Sequence, residues 1–67
     1  MTQTDFRAAL ELLRFSQAEF ARFIEVDRQT VYRWAAGINP VPRTVELLLL
    51  MMKHIGSAAA RKLAEKG

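Results

Sequence analysis

Apolar side chains recur along this chain at three- and four-residue intervals, and four breaks divide the recurrence into five short helical segments. In the first, Phe6, Ala9, Leu10 and Leu13 share a face, while Arg7, Glu11 and Arg14 point away. Thr4 is the expected N-cap, with Asp5 favourable in the positive first turn. Ser16-Gln17-Ala18-Glu19 reads as a capping box, in which hydroxyl and carboxylate each satisfy a free backbone N–H. It opens a second helix that turns Phe20, Ala21 and Ile24 inward, with Phe23 at the edge. Only Glu25 and Val26 precede the next cap, Asp27, and so short a connection demands a sharp turn.

The third helix is predicted from Arg28 to about Ala36, ending at Gly37, a residue that takes the left-handed conformation without strain. At 100° per residue, Val31 and Trp34 fall on one face, flanked by Thr30 and Ala35. Gln29, Tyr32, Arg33 and Ala36 fall on the other, with Arg28 at its margin. Ile38-Asn39-Pro40-Val41-Pro42 is a loop, because its prolines remove donors and disfavour helix just before them. Pro42 suits the first turn of a fourth helix reaching about His54, striped by Val45, Leu48, Leu49 and Met52. Leu47, Leu50 and Met51 widen that stripe beyond what one small core can cover. Gly56-Ser57 breaks the chain, and Ser57 is the expected cap of a fifth helix over residues 58–66. The pattern predicts one all-α domain over residues 1–67.

Composition narrows the chemistry. The 67 residues include no cysteine, which removes disulfides and thiolate metal sites, and the single His54 cannot by itself build a zinc site or a triad. No Asp, Glu, His or Ser cluster occurs beyond the caps, and there is no phosphate-cradling glycine loop, so neither an enzyme nor a cofactor is expected. The longest apolar run, Leu47 to Met52, is too short to span a bilayer, and the opening residues lack a secretory pattern. A cytoplasmic, nucleoid-associated protein without a membrane partner is expected.

Charge placement points further. Residues 1–33 carry five Arg against five acidic residues, so the whole net charge of +3 lies in residues 34–67. No acidic residue lies between Arg28 and Val45, whereas Arg28, Arg33 and Arg43 all do. Arg, whose planar fork matches phosphate and guanine edges, outnumbers Lys seven to three. A cationic stripe on an otherwise balanced chain is the footprint of a nucleic-acid reader.

Together these features carry a resemblance. From Ser16 to Gly37, SQAEFARFIEVDRQTVYRWAAG resembles a helix-turn-helix of the Cro and phage-repressor type, the xenobiotic-response-element family. Gln17 follows the cap, Ala21 is small where helices cross, a short turn follows Ile24, Val31 and Trp34 are apolar, and a glycine closes the motif. With the flanking helices, the resemblance covers about residues 4–54. Two positions depart from the pattern. Glu25 stands where relatives commonly have Gly, which predicts a strained or reshaped turn, and Ile38 and Asn39 stand where relatives often carry phosphate contacts. The short chain with its leucine-rich helix is also similar to small phage and mobile-element autorepressors, including anti-CRISPR-associated regulators.

The resemblance implies a lambda-repressor-like domain whose third helix enters the major groove of double-stranded DNA. Arg28, Gln29, Tyr32 and Arg33 become the base-reading candidates, and Gln17, Thr30, Asn39 and Arg43 the phosphate contacts. One copy reads too few base pairs for specificity in a genome, so a homodimer on an inverted repeat is expected. It would pair through the fourth and fifth helices at Leu47, Leu50, Met51, His54 and Leu63. A repressor of its own promoter, with no small-molecule effector, follows from this reading. The alternative is an antitoxin or adaptor that holds a partner protein on the fourth helix.

Overall fold

The computed structural model describes residues 1–66 and places them in five helices: α1 (Gln3–Leu12), α2 (Gln17–Ile24), α3 (Arg28–Ala36), α4 (Arg43–Ile55) and α5 (Ser57–Lys66). No strand occurs among the described residues, and the all-α expectation holds. Gly67, included in the single-domain reading, lies outside the described residues.

The helix starts follow local chemistry. Thr2, not Thr4, caps α1: its Oγ1 accepts the Asp5 N–H at 3.1 Å, and the Asp5 carboxylate accepts the Thr2 N–H at 3.4 Å. A capping box needs a carboxylate or carboxamide acceptor three residues on, and Thr4 has only Arg7 there. The box at Ser16 and Glu19 forms as expected, with bonds of 3.0 and 2.9 Å. Pro42 is the N-cap of α4 and not its first residue, with an extended ψ of 147°, and the helix runs on to Ile55. Ser57 does not cap α5 but lies inside it, because the Gly56 carbonyl already accepts the Ala60 N–H at 3.0 Å.

The core gathers one face of each helix. Phe6, at its centre, receives the rings of Phe20 and Trp34 edge-on, each with centroids 5.9 Å away. Leu10, Leu13, Val31, Leu49, Met52 and Ala60 close around them, all buried. Phe15, in the link between α1 and α2, is buried too and stacks on Phe23 at 5.9 Å. It belongs to neither helical stripe, which is why periodicity did not find it.

The α2–α3 turn resolves the Glu25 departure. Glu25 adopts the left-handed conformation (φ 58°, ψ 46°) that glycine usually fills, and its N–H caps α2 on the Ala21 and Arg22 carbonyls. The turn keeps its form at the cost of strain, about 1–2 kcal/mol for a side chain in this region. Glu25→Gly releases that strain but adds about 0.4–1 kcal/mol of unfolded-state freedom. The variant is expected to gain about 0.5–1 kcal/mol in urea denaturation, raising the midpoint without changing the slope.

Candidate nucleic-acid interface

α3 is presented by the elements behind it. The Asp27 carboxylate accepts the Gln29 N–H at 2.9 Å and starts the helix, while Gly37 (φ 77°) ends it. Val31, Trp34 and Ala35 are buried, so the helix cannot rotate without opening the core. Arg28, Gln29, Tyr32, Arg33 and Ala36 are consequently held in solvent, with Tyr32 about half exposed at 52%. The outer face read from periodicity is the outer face observed.

Arg28, Gln29 and Tyr32 meet Gln17 and Ala18 of α2 around an open cleft of about 440 Å³. Gln17 is half-buried in the first turn of α2, where unpaired N–H groups and the helix dipole favour an anion. The cleft therefore sets an anion-favouring helix start beside long side chains able to donate to base edges. Ala18 was not singled out from sequence. Its only signal is its place next to Gln17 in that first turn, and its small side chain leaves the cleft open.

The remaining sequence candidates are dispersed. Arg33 is exposed on the same helix but does not line the cleft; its carbonyl accepts the Ile38 and Asn39 N–H groups at 2.9 and 3.3 Å, folding the following loop back. Thr30 is half-buried and also outside the cleft. Asn39 is exposed and lines a separate hollow with Gln3, Gly37 and Ile38. Arg43 is not a free cation: its guanidinium donates to Glu46 at 2.8 Å, and the second Glu46 oxygen lies 3.1 Å from the Met1 amino group. The Arg43 hydrogen bond, followed by that of the amino group, holds the Glu46 carboxyl below the usual carboxylate range. Arg43 nevertheless remains largely exposed and keeps other donors available.

A second surface lies on α4 and α5. Leu47, Leu50, Met51, His54 and Leu63 are all exposed, so none enters the domain's own core. Ile55, 48% exposed, joins them; it continues the four-residue step from Leu47 to Met51, which was the signal available in the sequence. Among the described residues no His, Cys, Asp and Glu side chains gather as a metal site, and no helix is long and apolar enough to cross a membrane.

A family model described as helix-turn-helix matches residues 6–53, most of the chain. No curated protein and no solved structure gives a significant match.

Proposed function

The chain belongs to the helix-turn-helix family of DNA-binding regulators, and from that premise we propose that it is a sequence-specific repressor acting as a homodimer on an inverted-repeat operator. The observation that carries this reading is the exposed, acid-free outer face of α3, fixed from behind by Trp34 and Val31. Arg28 and Arg33 offer bidentate donors to guanine O6 and N7, and Gln29 matches adenine N6 and N7. Tyr32 presents a ring to a thymine methyl, or its hydroxyl to a phosphate. Gln17 anchors a phosphate at the start of α2, Thr30 and Asn39 add polar contacts, and Arg43 holds the flanking backbone while sharing its charge with Glu46.

One copy reads about four to six base pairs, too few against about a million competing sites. Pairing through Leu47, Leu50, Met51, His54 and Leu63 would set two α3 helices about 34 Å apart, one helical turn of DNA. Occupying its own promoter then makes the protein's concentration the control signal, as in phage and mobile-element autorepressors. The same exposed leucines also favour a second reading, an antitoxin or adaptor that docks a partner protein there.

A salt titration separates the two. On an inverted repeat selected from random duplexes, log affinity is expected to fall against log salt with a slope of about −0.9 per phosphate neutralised. Absence of binding to any selected duplex at low ionic strength would overturn the repressor reading and favour the adaptor.

A further inference from the structure

We propose that Arg61 is a positioning residue that latches α5 to the α1–α2 corner and so holds the self-association surface and the Gln17 phosphate contact in one frame. The DNA side of this inference rests on the function proposed above; the latch itself does not.

α5 has little apolar hold of its own. Ala60 is fully buried and Ala64 half-buried, both small, while Leu63 faces outward at 53% exposure. Helix α5 packs mainly along α4, to which Gly56 joins it directly. The Arg61 side chain bridges α5 to the neighbouring link between α1 and α2, and it does so three ways. Its Nη1 donates to the Arg14 carbonyl, at the end of α1, where Arg14 is in the left-handed conformation (φ 61°). Its Nη2 lies 3.4 Å from Glu19 Oε2 in the first turn of α2. The guanidinium carbon sits 5.6 Å from the centroid of Phe15, in the link between those helices.

Glu19 makes this bridge more than a fastening. Its Oε1 accepts the Ser16 N–H at 2.9 Å and completes the α2 cap, while its Oε2 faces Arg61. One carboxylate thus joins the cap of α2 to the middle of α5, and Gln17 is the first residue after that cap. The Ser16 N–H foremost, with the Arg61 charge, holds the Glu19 carboxyl below its ordinary range. A planar fork with five donors is suited to serving a carbonyl, a carboxylate and a ring face together. The capped start of α2 therefore shifts when α5 shifts.

Hydrogen exchange in the free protein tests the latch without DNA. In Arg61→Met, which keeps the stem over Phe15 and removes the donors, amides of residues 60–65 are expected to exchange about tenfold faster. Amides of Glu19 and Phe20 in α2 are expected to accelerate about threefold, with Val31 and Trp34 unchanged. Arg61→Lys, retaining a charged donor, should recover part of both losses, a rescue that simple loss of packing would not give. Unchanged exchange in α5, or a loosened α5 with the start of α2 untouched, overturns the proposal. Should Arg61→Met fail to fold, Glu19→Gln decides the link to α2: it keeps an acceptor for Ser16 but loses the charge facing Arg61. Exchange over residues 60–65 should then rise by less than tenfold while the Arg14 carbonyl and Phe15 still hold the guanidinium, and no rise at all overturns the proposal. If the exchange changes appear but the wild-type protein binds no duplex, the latch stands and the repressor reading falls.

Discussion

Gln29→Ala with Arg33→Ala is expected to abolish recognition of the selected operator while leaving the fold and the weaker, sequence-independent binding in place. Each bidentate contact discriminates by about 1–3 kcal/mol, so the pair should weaken cognate binding by about 2–6 kcal/mol in each half-site. The lower figure is already about thirtyfold in affinity. Both side chains are exposed on α3 and neither contributes to the core, so thermal unfolding should shift little. Fluorescence anisotropy on the operator and on a scrambled duplex, measured at one salt concentration, separates the two kinds of binding. Intact discrimination between the duplexes would show that another face reads the bases.

Leu50→Glu is expected to have the second large effect, through assembly and not through the reading face. Leu50 is 44% exposed, so a glutamate there is tolerated by the isolated domain. In a two-fold interface each copy would meet the other's buried charge, and burying such unpaired charges costs several kcal/mol. Sedimentation should then report monomers. Affinity for the full inverted repeat should drop by about 10²-fold or more, because the second half-site no longer binds as a linked event. Affinity for a single half-site should hold. A dimer that persists in Leu50→Glu places the interface elsewhere.

Most of the helical frame was legible because its signals are local. Ser16 and Glu19, Asp27, Gly37 and the spacing of Val31 and Trp34 each act within one or two turns, and α2 and α3 lie where those signals put them. The start of α1 was misread because two threonines compete and only Thr2 has an acceptor three residues on. The joint between α4 and α5 was misread because a glycine carbonyl did the work assigned to the Ser57 hydroxyl. What the sequence could not disclose is long-range. The burial of Phe15 and the reach of Arg61 to residues 42 and 47 positions away depend on how the helices pack, whereas Arg43 and Glu46 pair three residues apart within α4, a spacing the chain itself displays. The cleft at Gln17 falls between these cases: its long side chains were visible in the chain, but Ala18 emerged only once α2 and α3 met.

The two-sidedness of α3 bears on how such a protein diversifies. Trp34, Val31 and Ala35 carry the packing of that helix, leaving the outward positions with no duty to the architecture. Changes there spend none of the narrow stability margin that usually limits mutation. If the outward face of α3 reads the operator as proposed, a lineage can exchange one target address for another by single steps, each intermediate remaining folded, while the scaffold stays as it is.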